Sequence, residues 1–174
     1  MSYLLPVDYL HCICLGISGK MMELWFGEEN TTCDFSIRQH LAAVDAEIKR
    51  MKPPDFISKP PRSIKKHLGH WKGSLPDFSF FFSKKKFGKR KLIIGAEHRA
   101  WILYYSLILL KGKLTEDRYR HWCYFVIAIS ILLSPSISPQ HLGIATLCLT
   151  LFYFEFEDLY GNDQNKNKNN KIIK

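Results

Sequence analysis

The stretch AEHRAWILYYSLILLKGKLTEDRYRHWCYFVIAISILLSPSISPQHLGIATLCLTLFYFEFEDLYG, residues 96–161, decides the fold class. Its apolar residues crowd into two runs, Trp101–Leu110 and Trp122–Leu133, then recur at Leu142, Ala145, Leu149, Phe152 and Phe156 up to Tyr160. Spacings of three and four residues belong to one face of a helix. The breaks between the runs are helix breaks too. Lys111-Gly112-Lys113 closes a first helix over 96–110. Thr115 is placed to cap a second, running to about Leu133, with Glu116 and Asp117 in the first turn, where carboxylates suit the helix dipole. Ser138 before Pro139 opens a third, because proline is favoured at the first helical position, and Gly161 is a natural stop. The apolar runs are ten and twelve residues long, short of the roughly 20 that a membrane span needs. Both are therefore expected to be buried core helices, and no membrane partner is expected. The three helices should pack through Trp101, Leu107, Trp122, Phe125, Ile129, Leu149 and Phe152.

Toward the N-terminus, Leu4-Leu5-Pro6-Val7 reads as a short strand and Asp8 as the residue from which a helix starts. Leu10, Ile13, Cys14, Ile17, Met21, Leu24 and Trp25 give residues 9–26 one apolar face. A loop, Gly27–Asp34, leads to Ser36 and Gln39 at capping-box spacing, with Ile37, Leu41, Val44, Ile48 and Met51 at helical intervals behind them. Pro53-Pro54 ends that helix, and Pro60-Pro61 keeps residues 53–62 extended. The expected class is mainly α, a bundle-like helical fragment with one short N-terminal strand.

At 174 residues with 47% hydrophobic content, the chain has enough apolar material for one packed core. The formal charge is +9, but it is badly distributed. Lys84, Lys85, Lys86, Lys89, Arg90 and Lys91, with the four lysines of residues 162–174, supply almost the whole excess. The five cysteines are odd in number and scattered, which fits a reducing cytosol or nucleus better than a secreted scaffold. MSYLLPVDYL does not read as a signal peptide.

Few constellations carry chemistry. Cys12-x-Cys14 with His11 and Cys33 lacks a second ligand pair at zinc spacing, and its two cysteines should point to different sides of a helix. His67-x-x-His70 is expected in a solvated Lys/Pro/Gly-rich loop. KKKFGKRK over Lys84–Lys91 fits a nuclear-import signal or a weak phosphate-contacting patch, and a solvated charge run accounts for it at least as well. Asp8-Tyr9-Leu10-His11 is the one local pattern with a mechanism attached. A carboxylate at a strand end can hold a divalent metal ion for phosphodiester chemistry, with a histidine one helical turn on to orient it. An ordinary helix cap is the competing assignment for Asp8.

The surrounding residues add a family resemblance. Pro6-Val7-Asp8-Tyr9-Leu10-His11-Cys12 with Leu15-Gly16 and Leu24-Trp25 resembles the D-x-x-H block of animal CACTA-type (En/Spm-like) DDE transposases. Lys52-Pro53-Pro54 and Lys59-Pro60-Pro61-Arg62-Ser63 are similar to a proline-rich block that follows in the family. His70-Trp71-Lys72 and Ala96-Glu97-His98-Arg99-Ala100-Trp101 resemble the two halves of the next block, and Leu103–Leu107, Tyr119–Trp122, Ile129–Leu133 and Phe152–Gly161 resemble the helical part after it. The resemblance runs collinearly over residues 3–161 with one interruption.

It implies part of an RNase H-like core plus its helical insertion. Asp8 would be the second triad carboxylate and a metal ligand, His11 its adjunct, and Mg²⁺ or Mn²⁺ with DNA the cofactor and partner of full-length relatives. The first aspartate and the final glutamate of the triad have no counterpart in this sequence, so the chain is expected to be an inactive transposase remnant, nuclear if expressed, with no small-molecule substrate. A non-enzymatic helical interaction module derived from a transposase is the alternative. The implied division is 1–26, strand–helix piece; 27–72, helix and proline-rich connector; 73–95, irregular basic and Phe-rich insertion; 96–161, helical region; 162–174, disordered Asn/Lys tail. Residues 73–95 split a block that is contiguous in the family, which suggests retained intron sequence or a decayed gene.

Overall fold

The computed structural model describes residues 9–52, 55, 57, 62–71 and 96–172, with side chains placed for all of these except 9–11, 15, 67, 69–71 and 162–172. The protein is mainly helical, and no strand occurs among the described residues. The strand expected at Leu4–Val7 lies outside them.

The first helix is continuous over 9–26, as the apolar spacing requires. It opens as a π-helical segment, Tyr9–Ser18, and continues as α1, Gly19–Phe26. Met21, Met22, Leu24, Trp25 and Phe26 are all buried. Two short 3₁₀ turns, Glu28–Asn30 and Arg38–His40, carry the chain into α2, Leu41–Arg50. The capping box expected at Ser36 does not form. The Ile37 amide is already committed to the Trp25 carbonyl at 2.9 Å and the Ser36 amide to Cys33 at 3.1 Å, which holds Ile37 off helical geometry (φ −114, ψ 26). The helix therefore begins five residues after Ser36. Its apolar face is the expected one, with Leu41, Val44 and Ile48 buried.

Residues 64–71, expected in a loop, form helix α3, Ile64–Trp71. His67 and His70 thus stand on a helix. The cap explains it. Asp45, on the buried face of α2, accepts bonds from the Ser63 hydroxyl at 2.8 Å and the Lys65 amide at 3.1 Å, and Ser63 Oγ accepts the Lys66 amide at 3.1 Å. Two orphan N–H groups at the start of α3 are satisfied in this way.

The region 96–110 is helical throughout, with a π-helical segment, Trp101–Tyr105, leading into α4, Ser106–Leu110. Gly112 then takes φ +72, a left-handed turn open to glycine and strained for other residues. Helix α5, Glu116–Leu132, and helix α6, Pro139–Ile172, make the most extensive packing in the fold. Their partners run in opposite order, Arg118 with Leu159, Phe125 with Phe152, and Ala128 with Ala145 and Cys148. The pair is an antiparallel hairpin. Ser138 caps α6 as expected, its Oγ accepting the His141 amide at 3.2 Å. Thr115 stands at the N-cap of α5, but its hydroxyl makes no cap bond. Gly161 does not stop α6, which continues with right-handed backbone to Ile172.

Trp25 and Trp122 meet edge to face at 5.1 Å in the centre of the core. Trp122 also stacks on Phe125 at 5.0 Å and donates its indole N–H to Ser106 Oγ at 2.8 Å. Of the seven core positions named from sequence, Trp101, Trp122, Phe125, Ile129 and Phe152 are buried, and Leu107 and Leu149 are half-buried against the core.

Candidate functional site

The Asp8/His11 pair is expected at the start of the first helix. Asp8 lies outside the described residues, and His11 falls on the π-helical segment with its side chain among those not described. The basic run Lys84, Lys85, Lys86, Lys89, Arg90 and Lys91 lies outside them as well. Cys12 is exposed and Cys14 buried, on different sides of the helix as their spacing predicts. Among the described residues no three His, Cys, Asp or Glu side chains gather to hold a metal ion. No helix there is long and apolar enough to cross a membrane.

Among the described residues, one pair has the geometry of a nucleophile and its base. Ser18 Oγ lies 2.9 Å from His98 Nδ1, bringing together residues 80 apart. Both are sealed, at 0% and 1% exposure, so no substrate reaches the hydroxyl. Burial pushes the His98 imidazole down to about 4, and a neutral ring bonded to a hydroxyl is a means of docking the 96–110 helix on the first helix. His121 plays a similar part in the hairpin. Its Nε2–H donates to the Phe152 carbonyl at 2.8 Å, and its ring stacks on Phe152 at 4.2 Å. Burial lowers its pKa, partly opposed by that bond.

Among the described residues, Arg118 is the most heavily bonded cation. Its guanidinium donates to the Leu159 carbonyl at 3.2 and 3.3 Å, to the Asp34 carbonyl at 3.2 Å and to the Asp34 carboxylate at 2.8 Å, and it lies near the Phe35 and Tyr160 rings. At 9% exposure it ties α5 to the 27–34 loop and to α6. At Asp45, burial would raise the carboxyl pKa, but bonds from Lys49, Ser63 and Lys65 outweigh it and the net shift is downward.

Among the described residues three ion pairs, Arg118–Asp34, Lys113–Glu47 and Arg62–Glu97, join the chain before residues 73–95 to the chain after them. Arg62 Nε and Nη2 grip both Glu97 carboxylate oxygens at 2.5 and 2.6 Å, a bidentate contact across 35 residues. Arg62 belongs to the proline-rich stretch before residues 73–95, and Glu97 opens the helix after them. Neither this pair nor Arg118, Asp45 and His98 was singled out from sequence as a site. Asp45 alone left a signal, a carboxylate between Val44 and Ile48 on a stripe otherwise apolar. No family model, curated protein or solved structure matches this chain.

Proposed function

We propose that the chain is a segment of a DDE-type DNA transposase, from the D-x-x-H block through the helical insertion, that does not cut DNA as it stands. The observation that carries this reading is the Arg62–Glu97 pair. Two blocks that resemble consecutive family motifs, separated here by residues 73–95, are held together by a bidentate contact, as blocks built to be neighbours would be. Asp8 would be the remaining triad carboxylate, His11 its adjunct, and the implied Mg²⁺ or Mn²⁺ would need further carboxylates to complete its site. DNA contact would be weak and steeply salt-dependent, through Lys84–Lys91.

Deletion of residues 73–95, joining Lys72 to Ala96, tests the reading. The deleted chain should keep the helical circular dichroism and the melting temperature of the parent, with equal or better solubility. A deletion variant that unfolds would make the segment an integral part of the fold and defeat the proposal. The intact chain should give no Mg²⁺- or Mn²⁺-dependent nicking; nicking abolished by Asp8→Ala but not by Asp163→Ala would refute the inactive assignment. The alternative, a helical interaction module, has one observation in its favour: Leu147, Tyr153 and Phe154 of α6 are 59, 76 and 70% exposed.

A further inference from the structure

Helix α6 is apolar on two faces, and the core covers only one. Ala145, Cys148, Phe152 and Tyr160 are buried, while Ile144, Leu147 and Phe154 stand outward at 47, 59 and 70% exposure with Leu151 half-buried beside them. Residues 144, 147, 151 and 154 alternate by three and four, the a and d positions of a heptad. From Pro139 to Phe154 the helix carries no Lys, Arg, Asp or Glu.

We propose that this second stripe pairs with the same stripe of another copy of the chain, as an antiparallel two-stranded coiled coil. The spacing is self-complementary about position 149. Ile144 falls opposite Phe154 of the second copy and Leu147 opposite its Leu151, so every apolar layer meets an apolar layer. One step further out, exposed Gln140 falls opposite exposed Asp158, a donor against an acceptor. On the flank, His141 falls opposite Glu155, and Thr150 meets its own counterpart near the axis. A parallel pair would set Asp158 against Asp158 in the seam, and these repel.

Charge also selects against a lipid surface. Across the stripe, residues 139–161, the charged residues are Glu155, Glu157 and Asp158, which anionic headgroups would repel; the lysines of α6 begin only at Lys166, beyond it. A seam of four layers buries on the order of several hundred Å² per protomer, at the weak end of specific interfaces, so a dissociation constant of tens of micromolar is expected. The pairing holds independently of the transposase reading.

Sedimentation equilibrium of the full chain from about 5 to about 200 micromolar tests it. A monomer–dimer equilibrium is expected, with Leu147→Glu and Phe154→Gln each weakening it at least tenfold while the circular dichroism stays unchanged, since both side chains are already mostly outside. Thr150→Cys should form a disulfide-linked dimer under mild oxidation well above the background set by the native cysteines. A chain that stays monomeric at the top concentration overturns the proposal, as does association that neither variant weakens. A dimer that Thr150→Cys fails to cross-link rules out the antiparallel register. Binding of the monomer to anionic vesicles, lost in Leu147→Glu, would assign the stripe to lipid instead.

Discussion

Acidification from pH 7.5 to 5 should weaken this fold by about 2 kcal/mol through one residue, His98. In the unfolded chain its imidazole titrates near the ordinary value of about 6.5; in the fold, burial holds it at about 4. Between these values the unfolded chain takes up a proton that the native state refuses, so stability rises with pH. The contribution is complete above pH 6.5 and is lost as pH falls toward 4. At 1.36 kcal/mol per pH unit, linkage gives about 2 kcal/mol lost at pH 5 and about 3 kcal/mol at pH 4. His121, also held below its ordinary value by burial, adds in the same direction. Urea unfolding at half-unit pH steps, followed by tryptophan fluorescence, reads the slope. His98→Asn keeps a polar atom near Ser18 Oγ and removes the titration. It should lower stability at pH 7.5 and flatten the curve between pH 6.5 and 5. A wild-type curve that is flat over this range, or a slope that His98→Asn leaves intact, would refute the docked, neutral state of His98.

Other perturbations discriminate among the contacts. Arg118→Leu should cost about 3 kcal/mol in urea unfolding, because it strips charged donors from two backbone carbonyls and the Asp34 carboxylate; Arg118→Lys should recover only part, since an ammonium cannot fan out to all three. Trp122→Ala removes a fully buried indole against Trp25 and Phe125 and should cost about 3–5 kcal/mol in thermal or urea melts. Ser138→Ala should cost about 1 kcal/mol and Thr115→Ala almost nothing, because only Ser138 makes a cap bond; equal costs would contradict that difference.

Helix positions were legible wherever apolar spacing ran long enough. The faces of 9–26 and 41–50 came from i, i+3, i+4 spacing, and Cys14, Met21, Leu24, Trp25, Leu41, Val44 and Ile48 of them are buried, with Ile13 and Ile17 half-buried. The long apolar runs of 96–110 and 116–132 marked helices without separating core from surface, since Ile108, Ile127 and Leu132 are exposed. Local capping signals did less well, since they compete with tertiary bonds. Ser36 lost its cap because the Ile37 amide closes onto Trp25, and Thr115 holds the cap position without using its hydroxyl. Helix α3 was missed although Ser63, whose Oγ accepts the Lys66 amide, left a local cap signal. The other cap bond, from the Lys65 amide to Asp45, reaches back 20 residues, and no local pattern reports it. Gly161 fails as a stop because glycine permits a left-handed cap without imposing one. The Ser18–His98 contact was invisible for a similar reason, its partners being 80 residues apart.

Among the described residues, the buried polar groups that have partners are spent on the fold, while the Ser36 and Tyr105 hydroxyls are buried without a hydrogen bond. Ser18 and His98 have dyad geometry without access. Trp122 occupies Ser106 Oγ, and Ser106 in turn donates to the Ile102 carbonyl at 3.3 Å, inside the π-helical segment. Such segments leave backbone groups in need of partners, and here a neighbouring hydroxyl answers. Asp45 spends its carboxylate on starting α3, and Arg118 its guanidinium on two carbonyls and Asp34. Exposed apolar side chains stand at several places, Ile108 at 64% among them, but in the second stripe of α6 they align along one helix face. The functional question therefore divides cleanly. On the two proposals above, chemistry would rest with Asp8 and His11, and recognition with Ile144, Leu147, Leu151 and Phe154, exposed or half-buried positions where substitution leaves the core untouched.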